Sequence, residues 1–355
     1  MLLKSLKLVF VLALLSFASE TPKNIILFIG DGMGPAQITA LKTVTGTPNL
    51  ERFKNAGFAT TYSEDEYVTD SAAGATALAT GFKTYNGAIS VDAAHQKLKT
   101  VLEYAEELGK STGLVATCSI THATPAAFAA HQPSRKMNNE IADDITASGT
   151  DVIIGGGLSF FLPKSADNSA REDEKDLFSK LKSSHNLVNN DNEFKNFHGK
   201  NLVYLYAKEH PGKANERTLS LKEMTSKAIE VLSQNDNGFF LMVEGSQIDW
   251  GGHANESDYI ISEIVDFDGA VGAGLDFAEK NKETMIVVTA DHETGGYSLL
   301  GGSIAEKKVT KTEFTTKGHS AVMVPVFSFG PGSDVLTGII DNTLIGKTII
   351  KYNQN

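Results

Sequence analysis

The sequence predicts an α/β fold: a mostly parallel central sheet sandwiched by helices on both faces. Three observations carry this. Six near-continuous apolar runs of strand length recur along the chain, the pattern of strands buried on both faces. Amphipathic helical stretches lie between several of them, as the crossovers of a parallel sheet require. Most of the runs end in Gly, Asp, His or Thr. That punctuation places polar chemistry beyond the carboxyl ends of the strands, where ligands bind in open parallel sheets.

The elements follow in order. The chain opens MLLKSLKLVFVLALLSFASE, with Lys4 and Lys7 ahead of an apolar stretch and small residues at Ser16 and Ala18. This reads as a secretory signal peptide over residues 1–18, too short for a good membrane span. Residues 19–355 then read as one domain. KNIILFIGDG (23–32) is a buried strand running into a sharp turn at Asp31. YVTDSAAGATAL (67–78) places Ser71 at or near the start of an Ala-rich helix, where a side-chain oxygen caps the free N–H groups or where those groups hold an anion. KTVLEYAEELGK (99–110) is a helix, and GLVATCS (113–119) a strand that leads into THATP. DVIIGGG (151–157) is the next strand. Residues 160–216 are polar and irregular and read as a surface elaboration with short helices. Beyond it, LSLKEMTSKAIEVLSQ (219–234) and SEIVDFDGAVGAGLDFAEK (262–280) are helices. GFFLMVEGS (238–246), ETMIVVTADH (283–292) and VMVPVFSFGPG (322–332) complete the strands.

Charge and cysteine content narrow the function. The chain carries 32 basic and 43 acidic residues, a net charge of −11. Loss of Lys4 and Lys7 with the leader would make it −13. Such a surface disfavours nucleic acid and anionic membranes as partners. An anionic substrate would need a local source of positive charge. The single cysteine, Cys118, excludes an intrachain disulfide, so an exported chain must rely on its core, metals or a partner subunit.

The strand ends offer a ligand set. EGSQIDWGGH supplies Glu244, Asp249 and His253; TADHETGG supplies Asp291 and His292; TKGHSA supplies His319; the first strand supplies Asp31. Carboxylates with imidazoles are the ligand chemistry of zinc in hydrolytic sites. His122 stands in SITHATPA. His95, His185, His198 and His210 fall in polar stretches and read as solvated, while His131 suits either a position beside the site or an ordinary helix.

IGDGMG, TDSAAGATAL, THATPAA, EGSQIDWGGHAN, TADHETGG and GHSAVMVPVFSFGPG, in this order from residue 29 to 332, resemble the signature segments of the alkaline phosphatase family, in its compact bacterial, cold-environment type. The resemblance implies a metal-dependent phosphate monoesterase of broad specificity, acting at alkaline pH through a phosphoserine. It implies Ser71 as nucleophile, with Asp31, Asp291 and His292 as ligands of the zinc that touches it. Asp249, His253 and His319 match the second zinc site. Glu244 and Thr124 match magnesium ligands, with Asp31 bridging; Thr124 also suits a cap before Pro125. Arg135, in HQPSRKM, matches the arginine that grips phosphate, with Lys136 its neighbour. The resemblance further implies two zinc ions and one magnesium, a homodimer, and periplasmic or secreted residence.

Two positions depart from the enteric pattern. His122 replaces an Asp in the outer shell of the magnesium site, which makes it a candidate ligand and shifts the third metal toward zinc, cobalt or nickel. Trp250 replaces a Lys that reaches phosphate through water; it reads as an apolar wall that leaves phosphate less tightly held. Few prolines and no disulfide suggest a cold-active enzyme. A phosphodiesterase or other hydrolase of the same superfamily is the alternative reading. The Ala-Ala-Gly after Ser71 disfavours a sulfatase. A metal- or phosphate-binding protein without turnover would have lost a nucleophile or a ligand, and none is missing.

Overall fold

The computed structural model describes residues 21–354; the leader expected at 1–18 lies outside them. The strands, in chain order, are β1 (Asn24–Gly30), β2 (Asn55–Thr60), β3 (Ser111–Ser119), β4 (Val152–Gly156), β5 (Asn186–Leu187), β6 (Leu202–Leu205), β7 (Phe239–Gly245), β8 (Thr284–Thr289), β9 (Glu293–Thr294), β10 (Tyr297–Ser303), β11 (Lys308–Phe314), β12 (His319–Ser320), β13 (Val324–Phe329) and β14 (Gly338–Asp341). Ten of them form one sheet in the order β14-β2-β13-β8-β1-β7-β3-β4-β6-β5.

The apolar runs became the centre of this sheet. All seven residues of β1 and of β7 are buried, and β1 pairs in parallel with β7 and β8 on its two sides. Helices Ser257–Asn281 and Leu221–Leu232 pack together, and Phe267 of the first sets its ring edge-on against Phe28 of β1 at 6.2 Å. Burying such a ring contributes roughly 1.5–3 kcal/mol. Ser220 caps the Leu221–Leu232 helix by accepting from the Glu223 N–H, and the Glu223 side chain accepts from the Ser220 N–H in return.

Two readings change. The run at 322–332 has the same composition as the other strands, but β13 is antiparallel to both β8 and β2. A parallel return needs a crossover of a dozen or more residues, usually helical. Between β8 and β13 the chain makes only the β10–β11 hairpin and the small β9–β12 pair, so it comes back antiparallel. The start of β13 therefore lies at the same edge as the carboxyl ends of its neighbours β8, β1 and β7, and His319 arrives stacked on His292. Region 160–216 is also more than a surface elaboration. Its β6 pairs with β4, and β5 extends the sheet to its edge. Buried Arg171 anchors the region, its guanidinium on Asp173 and on the Asn139 and Phe160 carbonyls. Among the described residues, no helix is long and apolar enough to cross a membrane.

Candidate active site

The site lies at the carboxyl edge of the sheet. Gly30 ends β1, and the chain turns at once through Asp31 and Gly32. Gly32 has φ +76°, and a Cβ there would stand 2.6 Å from the Asp249 Cα; only glycine permits this approach. Asp249 and His253 sit one turn apart on the Gln247–Ala254 helix, which puts both on one face. Ser71 is the first residue of the buried Ser71–Thr80 helix. The cap is not Ser71 but Asp70, whose carboxylate accepts from the Ala73 N–H at 3.0 Å. The Ser71 hydroxyl is thus free of the capping duty. Gly74 on that helix lies so near Asp291 that a Cβ would meet its Cβ and carbonyl O at 3.0 Å. Small residues let helix and strand end close on one another.

Ser71 Oγ stands 3.2 Å from His292 Nε2. The same nitrogen is 3.2 Å from Asp291 Oδ2 and 3.5 Å from Asp31 Oδ1. Thr294 Oγ1 donates to Asp249 Oδ1 at 2.5 Å and lies 3.2 Å from His292 Nδ1. Its proton being used on Asp249, the threonine oxygen is the acceptor for Nδ1–H, and Nε2 presents a lone pair. Oxygen and nitrogen atoms of four residues therefore converge around the serine hydroxyl.

The second cluster has the same character. His253 Nδ1 donates to the Lys317 carbonyl at 2.5 Å, and His319 Nδ1 to the Thr69 carbonyl at 2.9 Å. Their Nε2 atoms face each other at 3.3 Å and approach Asp249 at 3.3 and 3.5 Å. Backbone carbonyls on the far nitrogens are how metal-binding imidazoles are oriented. A third group comprises Cys118, His122 and Glu244. In each of three sets (Asp31, Asp249, His292; Asp249, His253, His319; Cys118, His122, Glu244), the ligand atoms lie within 4.8 Å of one another.

Electrostatics supports a cationic occupant. Burial pushes the Asp31 carboxyl well above the usual range, with Asp291, Asp249 and Glu244 adding repulsion. Burial raises Glu244 to about 7 and Asp291 to about 8. Asp249 resists its burial and is held low by the hydrogen bond from His253 and by the nearby imidazoles. Burial, then the Arg135 charge, pushes His122 down to about 3. Both Asp31 oxygens, Asp291 Oδ2, Glu244 Oε1, Thr124 Oγ1 and His122 Nδ1 are buried without a hydrogen-bond partner. Unpaired buried polar atoms are costly. Divalent cations are what this donor set of carboxylates, imidazoles and a hydroxyl fits.

Arg135 Nη1 pairs with Asp70 Oδ2 at 3.0 Å, and its Nη2 lies 3.1 Å from His122 Nε2. The cap of the Ser71 helix thus holds the arginine beside the serine, whereas Lys136 is exposed. Thr124 lies inside the Ala123–Ala129 helix, whose N-cap is His122, so the capping alternative for Thr124 falls away. Half-buried Trp250 stands edge-on to His122 at 6.3 Å.

One neighbour escaped the sequence reading. His210 is exposed, as a solvated residue should be, yet it has fixed partners. Its Nδ1 accepts from the Ser119 N–H at 3.0 Å, and its ring packs edge-on against Trp250 at 4.9 Å and His122 at 5.9 Å. His131 is structural, bound to the Ser90 carbonyl and Glu103.

Comparison with known proteins bears on this geometry. A family model described as alkaline phosphatase matches residues 22–313. The chain belongs to the alkaline phosphatase family. Alkaline phosphatase 3 of Bacillus subtilis is 38% identical over 94% of this chain and 89% of its own length. The human tissue-nonspecific alkaline phosphatase is 30% identical over 98% of this chain and 76% of its own. Among solved structures, the alkaline phosphatase of the Antarctic bacterium TAB5 is 41% identical with a TM-score of 0.86, covering 94% of this chain and 98% of that one. A histidine-to-glutamate variant of the TAB5 enzyme has Mg bound in a site designated M3. As a family member the chain is a hydrolase of phosphate monoesters, and its clustered side chains form candidate metal-binding groups.

Proposed function

We propose that the chain hydrolyses small phosphate monoesters of broad specificity at alkaline pH, with Ser71 as nucleophile, and releases inorganic phosphate. The convergence of unpaired acceptors on Ser71 Oγ and His292 Nε2 supports this best. Asp31, Asp291 and His292 would hold one zinc, and Asp249, His253 and His319 a second. Glu244, Thr124 and His122 would hold a third ion, magnesium or else zinc or cobalt, with Asp31 bridging. Such ions lower the pKa of a serine hydroxyl and of water and stabilise charge on a leaving oxygen. They also answer the net charge of −11, since local divalent charge outweighs the carboxylates for a dianionic ester.

The chain's own groups do the rest. Arg135 offers two parallel N–H donors to phosphoryl oxygens, and Asp70 keeps it next to Ser71. The start of the Ser71–Thr80 helix aims N–H groups at the same anion. Ser71 Oγ gives up its proton and bonds to phosphorus as the ester oxygen departs, and that oxygen ends protonated as the alcohol. Water then cleaves the phosphoserine and restores the hydroxyl. Trp250 walls the pocket without adding charge.

The same reading takes residues 19–355 as one domain that is exported to the periplasm or beyond, cold-active and homodimeric. Exposed Phe58 and Ile339, cross-strand neighbours on β2 and β14, suit a dimer surface. Rates on p-nitrophenyl phosphate and its bis-ester, in wild type and Ser71→Ala, test the function. The monoester should dominate, and the variant should lose turnover while keeping its metals. Faster cleavage of the diester would favour the phosphodiesterase alternative.

A further inference from the structure

We propose that the Cys118 thiol is a direct ligand of the third metal position and makes it select zinc or cobalt over magnesium. This rests on the assignment of Glu244 and His122 to that position. Strands β3 and β7 are parallel neighbours with Ala116 opposite Glu244. Cys118 stands two residues further along β3, in a stretch where the pairing with β4 is irregular. Its Sγ lies 3.3 Å from Glu244 Oε2. Sγ, a Glu244 oxygen and a His122 nitrogen all fall within 4.8 Å of one another.

A buried cysteine is commonly a small apolar filler. Here the surroundings are polar. Cys118 is fully buried, yet its Sγ contacts Glu244 Oε2 at 3.3 Å and the Ser119 carbonyl at 3.2 Å. Glu244 Oε1, His122 Nδ1 and Thr124 Oγ1 beside it are buried and unpartnered. A cation among these atoms would meet sulfur, imidazole and carboxylate together. Thiolate sulfur suits zinc and cobalt, whereas magnesium demands oxygen ligands. On binding, the S–H bond breaks, the proton leaves to solvent and the sulfur lone pair goes to the ion.

The chain has no other cysteine, so any thiolate-to-cobalt charge-transfer band must arise from Cys118. The full-length protein, stripped of metal, is titrated with Co2+ while bound cobalt and near-ultraviolet absorption are followed. Wild type should bind three cobalt ions per chain and develop the band; Cys118→Ser and Cys118→Ala, checked for folding by circular dichroism, should lack it. In dialysis against mixed zinc and magnesium, third-site preference for zinc should fall at least about tenfold in Cys118→Ala. Three bound cobalt ions without the band, or unchanged preference in Cys118→Ala, would overturn the proposal alone. A wild-type stoichiometry below three would overturn the three-metal reading and this proposal with it.

Discussion

Metal removal should make stability fall as pH rises from 6.5 to 9. Glu244 and Asp291 are raised to about 7 and about 8 by burial, whereas carboxyls in an unfolded chain ionise near pH 4. Between these values the folded, metal-free protein binds protons that the unfolded chain does not. Stability from a raised group is full below its unfolded pKa and is lost as pH climbs through its folded pKa. Over pH 6.5 to 9 the linkage amounts to on the order of 1 kcal/mol for Glu244 and 2 kcal/mol for Asp291. Asp31 is raised as well. His253, lifted to about 9 by its bond to Asp249, acts in the same direction. The lowered His122 and His292 exert their effect below pH 6.5, which sets the lower limit of the window. The metal-free protein should therefore lose at least about 3 kcal/mol in equilibrium urea denaturation. The zinc- and magnesium-loaded protein should show no such loss, because its carboxylates are already ionised on the metals. Metal-free protein as stable at pH 9 as at 6.5 would refute the reasoning.

Other perturbations address the parts of the site. Gly74→Val forces a side chain into the 3.0 Å gap beside Asp291 and should lower kcat by about a hundredfold, the effect of a displacement near 1 Å; unchanged turnover would show that the Ser71 helix and Asp291 need not touch. Trp250→Lys should tighten inhibition by inorganic phosphate several-fold by adding a charge, and unchanged inhibition constants would count against the apolar wall. His210→Ala removes the ring packed on Trp250 at 4.9 Å. Trp250 is the only tryptophan, so its emission should shift in that variant, and an identical spectrum would place His210 outside the site.

Much of this was legible in the sequence because the strands are buried on both faces. A run such as NIILFIG has one compatible environment, and the residue after it, Asp31, inherits a place at the sheet edge. The same reasoning located Glu244, Asp291 and His292. Direction was harder to read. VPVFSF looks like its parallel neighbours, and only the lack of a helical stretch between 293 and 322 marks β13 as antiparallel. LVYL at 202–205 is short and embedded in polar sequence, so its partnership with β4 was hidden. His210 follows directly from that strand's loop and was missed with it. The neighbourhood of Cys118 depends on the register between β3 and β7, which is set by long-range pairing and leaves no local trace.

The central claim is that Ser71 carries the phosphoryl group between substrate and water. Acid quenching of the enzyme during turnover of a labelled monoester, followed by peptide mass spectrometry, tests it most directly. The account predicts a single phosphate on Ser71 in the segment YVTDSAAGATAL and none in Ser71→Ala. A phosphate on another residue, or turnover near the wild-type rate in Ser71→Ala, would contradict it.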